Sequence, residues 1–180
     1  MSILKYLGIR TDTAPAPGGV SSADADSIRR IVKALDSLDP VRAKKLAAFA
    51  FVLSRAAGAD LKISETEIRE MERLIMERAG LPEEQAVLVV EIARRQNILF
   101  GGTDNFLVTR DLKETMSHEE KVELLHCLFA VSAAEDGISA TEEGAIAQIA
   151  SELGFDRREM VQIRSAYRDQ RAVFRKPPAV

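Results

Sequence analysis

The chain has no tryptophan, a single cysteine, two histidines and only 5% aromatic residues. Each shortage removes a class of function. A lone Cys127 forms no internal disulfide, so the fold must hold by packing, and a reducing compartment suits it. His118 and His126 stand apart from any second cysteine, which argues against a zinc site. Positive charge is not in excess. Lys and Arg number 25 against 28 Asp and Glu, a net charge of -3, so phosphate neutralisation by a general nucleic-acid binder is not expected. Long apolar runs are missing too. Leu46 to Leu53 is stopped by Ser54 and Arg55, far short of the ~20 residues of a membrane span. The segment Met1 to Ile9 is too short for the apolar core of a signal peptide, so a cytoplasmic location is expected. Gly101-Gly102-Thr103 lacks the Lys-Ser/Thr of a phosphate loop, and no nucleophile elbow or triad spacing is visible. A catalytic role is not expected.

What is present is apolar periodicity. Hydrophobic residues make up 46% of 180, enough for a packed core. Residues 1–10 (MSILKYLGIR) form a short amphipathic segment, with Ile3, Leu4, Leu7 and Ile9 apolar and Lys5 and Arg10 basic. Residues 11–22 hold two prolines and two glycines and read as a linker. From 23 to 172 the spacing predicts helices throughout, and 173–180 reads as a frayed tail. Helices are expected over Ala25 to Leu38, from Asp39-Pro40 to about Ala59, from Ser64 to Gly80 and from Pro82 through Val87, Leu88, Val90 and Ile92. Further ones are expected over Asn105 to Met116, after the capping box at Ser117, from Ser139 to Gly154, and from Asp156 to Tyr167. Two of these, around LAAFAFVL and LLHCLFAVSAA, are apolar nearly all round and should be central. The fold class is therefore all-α, a helical bundle of about seven to eight helices.

The punctuation of the chain occurs twice. Leu53 to Glu67 reads LSRAAGADLKISETE, and Phe129 to Glu142 reads FAVSAAEDGISATE. In each, an alanine-rich helix runs into an aspartate (Asp60, Asp136), then an isoleucine (Ile63, Ile138), then Ser-x-x-Glu ending at Glu67 or Glu142. The serines lie 75 residues apart and the aspartates 76. This spacing is expected of two related helical halves. An aspartate at a helix C-terminus faces the negative end of the helix dipole, a penalty of roughly 0.3–1 kcal/mol, so its double use suggests a cation or a hydrogen-bond donor nearby. Carboxylates in loops suit Ca²⁺ or Mg²⁺. Capping boxes explain both glutamates without any metal, and Ile138 and Ala140 stand where an EF-hand would carry acids. His126 in its apolar tract reads as a structural histidine, and His118 as an exposed one. The last helix carries a basic stripe, Arg164, Arg168, Arg171 and Arg175, which would face anionic lipid, an acidic partner, or solvent alone.

The motif EDGISATEEGAIAQIASELGF, with GADLKISETEIREMERLIMERAGL as its partner, resembles the tellurite-resistance protein B (TerB-like) family over roughly residues 40 to 170. The resemblance implies an all-helical domain of two related halves and acidic residues proposed to chelate a divalent metal. By position these are Asp60 and Glu67 in the first copy and Asp136 and Glu142 in the second. The first copy has Leu61 where glycine is usual, and the second is one residue short. The resemblance also implies a link to tellurite and stress-response systems, often near membranes. Two readings stay open. One is an interaction or sensor module that meets a protein partner and binds Ca²⁺ or Mg²⁺ at the acidic loops. The other is a metal-free scaffold or adaptor at the membrane surface, using the N-terminal segment and the basic last helix.

Overall fold

The structure is a computed structural model and describes residues 22–56, 65–95, 105–134 and 137–171. Within them the chain forms eight α-helices and one short 3₁₀ turn. They are α1 Ser22–Asp36, α2 Pro40–Ala56, α3 Glu65–Ala79, α4 Glu83–Arg94, α5 Asn105–Thr115, α6 His118–Ala133, α7 Ala140–Leu153 and α8 Arg157–Ser165. The 3₁₀ turn, Arg168–Gln170, follows α8. Among the described residues there is no strand, only an isolated parallel bridge between Ile138 and Arg171.

Local chemistry sets the boundaries. Asp39 opens α2: its carboxylate accepts from the N–H groups of Val41 and Arg42 at 3.0 and 3.2 Å, and Pro40 takes the first helical position, where no N–H is needed. Full capping boxes open α6 (Ser117 with Glu120), α7 (Ser139 with Glu142) and α8 (Asp156 with Glu159). Gly154 closes α7 in the left-handed region at φ 96°, a conformation that disfavours any residue with a Cβ.

The core is organised around α2. Every residue from Leu46 to Ser54 is buried, and the helix is in contact with α1, α4, α5, α6 and α7. A helix apolar on all sides has no solvent face to present, so it takes the middle of the bundle. The one polar side chain in that run, Ser54, donates its hydroxyl to the Phe51 carbonyl at 2.7 Å and so enters the core satisfied. α6 is the second buried helix, contributing Leu125, Leu128 and Phe129. Ile68, Met71, Leu74 and Ile75, at helical spacing, form the buried face of α3. Val87, 38% exposed, sits on the outer face of α4.

The packing is crossed. α2 packs on α7, and α3 packs on α6, so the helix before each acidic loop meets the helix after the other loop. α4 and α8, which follow the two units, pack on α2 and α6 respectively. The correspondence is not complete. α6 and α7 pack directly, α2 and α3 meet little among the described residues, and α5 lies between α2 and α7.

Candidate functional site

A groove of about 970 Å³ opens in the described surface. It lies where the start of α2, the end of α3 and the start of α6 come together. Leu46, Phe49 and Leu124 form its buried floor, and Leu81 and Met116 are half-buried in its walls. Val41 stands at its edge with 58% of its surface exposed, the most exposed of the large apolar side chains among the described residues. The edges are charged, with Asp39, Glu77, Glu119, Glu120 and Glu123 against Arg42, Lys45 and Arg78. Some of these charges are already engaged. Lys45 reaches across to Glu120 at 3.2 Å, and Arg42 donates to the Gln85 side-chain carbonyl at 2.8 and 3.1 Å. The Glu120 carboxyl is held below its ordinary value, chiefly because it accepts the Ser117 backbone N–H, with Lys45 adding to the effect. Glu119 is held low in the same way by backbone N–H bonding and the Ser117 hydroxyl. These carboxylates are thus firmly ionised at neutral pH.

Of the four metal candidates, Asp60 and Asp136 lie outside the described residues. Glu67 belongs to the first turn of α3, and its side chain also lies outside them. Glu142 is described in full. It is half-buried at the third position of α7, and its Oε2 accepts the Ser139 N–H at 2.8 Å. The capping role inferred from sequence is therefore present at this copy. The corresponding Ser64 box lies outside the described residues. Among the described residues no three His, Cys, Asp or Glu side chains converge in a way that would hold a metal ion.

The neighbouring residue forms a site that the sequence did not show. Glu143 accepts from two arginines at once: Arg171 through Nε and Nη2 at 2.7 and 2.6 Å, and Arg164 through Nη1 at 2.9 Å. Glu143 and Arg171 each retain 14% side-chain exposure. A two-pronged guanidinium–carboxylate pair is among the stronger charged contacts. Beside it the Ile138 N–H donates to the Gln170 carbonyl at 2.9 Å, so the segment after α8 is strapped to Ile138, just before α7. The basic stripe expected on the last helix is corrected here. α8 ends at Ser165, and Arg164 and Arg171 turn inward to one carboxylate instead of lining an outer face. The helix breaks because Tyr167 is pinned elsewhere. Its hydroxyl donates to the His126 carbonyl at 2.9 Å, its ring stacks on Phe129 with centroids 5.0 Å apart, and it is buried. Since the hydroxyl proton is spent on that carbonyl, the 3.1 Å contact with His126 Nδ1 requires the imidazole to be the donor there. His126 is accordingly a structural residue, as its apolar surroundings suggested. The sequence held the charges of this cluster but no glycine or proline between Ser165 and Arg171 to announce the break.

A second network ties the halves together. Arg55 near the end of α2 makes a two-pronged ion pair with Glu152 of α7 at 2.8 and 3.0 Å, and the Thr109 hydroxyl of α5 donates to the same carboxylate at 2.6 Å. Side-chain exposure is 9% for Arg55 and 14% for Glu152. The Arg55 hydrogen bonds hold the Glu152 carboxyl below its ordinary value against the opposing effect of burial. This is an internal brace between α2, α5 and α7. Nor does any described helix have the length and apolarity to cross a membrane.

Neither a curated protein nor a solved structure matches the chain. The family model of the tellurite resistance protein TerB matches residues 46–165, which takes in the whole of the crossed packing of α2, α3, α6 and α7 apart from the first turns of α2. The chain belongs to the TerB family.

Proposed function

We propose that this TerB-family chain is a binding module, not an enzyme, and that its working surface is the groove between α2, α3 and α6. The observation that carries the reading is the combination of an apolar floor (Leu46, Phe49, Leu124), an exposed Val41 at the edge and an excess of acidic over basic side chains around it. That chemistry fits a short amphipathic segment with apolar residues on one face and basic residues beside them. Calorimetric titration with a ten-residue Leu/Lys amphipathic peptide tests it. Saturable heat is expected with the natural chain, and Glu119→Lys with Glu123→Lys should weaken binding at least tenfold. Equal binding by the double variant would remove the groove from consideration.

Divalent-metal binding by Asp60, Glu67, Asp136 and Glu142 forms the second part of the proposal. It is supported by membership of the family and by the repeated acidic punctuation. The copies should differ. Glu142 already serves its helix cap, and two guanidinium groups crowd the adjacent Glu143. Positive charge beside a cation site weakens it, so the first copy, Asp60 with Glu67, is the stronger candidate. A metal-free scaffold at the membrane surface is the lesser reading. It relied on a basic outer face, and two of the four arginines in that stripe are turned to Glu143. A role in stress or tellurite response belongs to the family context and stays a proposal here, as does a cytoplasmic location.

A further inference from the structure

We infer that the groove selects a helix of a partner protein whose apolar stripe carries acidic residues along one flank and basic residues along the other. The inference rests on reading the groove as the binding surface and states what that surface recognises. The two helical walls differ in sign. On the α2 side Asp39 is engaged at the helix end, where it accepts the N–H groups of Val41 and Arg42. Arg42 donates to the neutral amide oxygen of Gln85, a contact that leaves its charge uncompensated. Lys45 follows at i+3, on the same side of the helix. The α6 side is acidic: Glu119, Glu120 and Glu123 border the groove, and none of the residues that α6 contributes to it is basic. The end of α3 adds one charge of each sign, Glu77 and Arg78, and Arg73 already pairs with Glu77 at 2.6 Å.

A helix suits these walls better than an extended strand. The walls are themselves helices, with backbone groups bonded internally or to their caps, so they offer no sheet edge to a strand. A helix brings its own backbone bonds and presents apolar residues at i, i+3, i+4 and i+7 to the floor of Leu46, Phe49 and Leu124. Its flanks then lie against opposite walls, acidic residues toward Arg42 and Lys45 and basic ones toward the three glutamates. One ion pair already joins the walls, Lys45 to Glu120 at 3.2 Å, with 33% and 49% of the two side chains exposed. A pair so exposed contributes little by itself, so Lys45 and Glu120 can exchange each other for opposite charges on the partner without net loss. A purely basic helix would set like charge against Arg42 and Lys45, and a purely acidic one would do the same to the glutamates.

Calorimetric titration of the full-length chain with three helical peptides of about 18 residues tests this. All share one Leu stripe and differ only in the flanks: Lys on both, Glu on both, or Lys on one and Glu on the other. The split peptide should bind the natural chain about fivefold tighter than either of the others, the effect of two or three partly exposed ion pairs. The preference should shrink in about 1 M salt, which screens such pairs. Arg42→Glu places an acid in the first turn of α2, where the helix dipole favours it, so the fold is retained. This variant should lose the advantage of the split peptide over the all-Lys one, and adding Lys45→Glu should reverse it. All-Lys binding as tight as split binding in the natural chain overturns the inference and leaves the groove as a site for a basic segment. A split-peptide advantage that survives both substitutions also overturns it. Failure of all three peptides to bind overturns the reading of the groove as well. A natural chain that sediments as a dimer, and that the split peptide releases to monomer, assigns the groove to a second copy and overturns the partner helix.

Discussion

Arg55 shows how much one side chain can hold. It is nearly buried, it neutralises Glu152, and Glu152 also gathers the Thr109 hydroxyl from a third helix. Arg55→Met removes the cation and leaves the carboxylate with only the neutral donors Thr109 and Gln148. The cost at neutral pH should be about 1–3 kcal/mol, the range for leaving a buried polar partner unsatisfied. The pH dependence follows from the direction of the Glu152 shift. Its folded value lies below the unfolded one, so the folded state favours the ionised form. That stability is complete above the ordinary carboxyl range and is lost as pH falls through the lower folded value. Urea melts at pH 7 and pH 3 should therefore show a large difference between natural chain and variant at pH 7 and a small one at pH 3. A difference that grows in acid would show that the brace is not an ionic one. Such a pair was invisible in the sequence, because residues 97 positions apart share no local pattern.

Two glycines near α7 should respond to the same substitution with opposite sign. Gly144 lies inside the helix, is exposed, and an added Cβ would meet nothing within 4 Å. Gly144→Ala should stabilise by roughly 0.5–1 kcal/mol, since glycine loses more backbone freedom in a helix than alanine. Gly154 sits at φ 96°, and its Cβ would lie 3.0 Å from Lys113 Cε. The lysine end can move aside, but the left-handed backbone remains, so Gly154→Ala should cost about 1–2 kcal/mol. Thermal melts of the two variants check the pair, and two shifts of the same sign would contradict the capping geometry of α7. Elements of this kind were legible in advance. Ser117, Ser139 and Asp156 each stand three residues before a glutamate, and all three open helices through reciprocal hydrogen bonds. These signals act within one turn of backbone and need no tertiary context.

For the whole molecule the question is what the acidic loops add. A cation that binds only the folded form raises the melting temperature by mass action. With Ca²⁺ or Mg²⁺ at millimolar concentration the natural chain should melt higher, and Asp60→Asn with Asp136→Asn should abolish the rise. Asp60→Asn alone should remove most of it, because Glu142 and Glu143 are engaged in the second copy by the helix cap and by the arginine pair. An unchanged melting temperature in the natural chain would discard the metal reading and leave the groove as the functional surface.

Helix positions, the buried faces of α2, α3 and α6, the caps and the family were determined by the sequence itself. Apolar spacing and capping residues act over one to four positions, and the order of the residues records them directly. The groove, the Arg55–Glu152 brace and the strap on Ile138 were decided only by tertiary structure. Each joins residues distant in sequence, and their meeting depends on how the helices pack in the bundle. The basic stripe shows the difference in a single segment. Arg164 and Arg171 are seven apart and would share a face on a continuous helix. Burial of Tyr167 against Phe129 ends the helix first, and the guanidinium groups go to Glu143 instead.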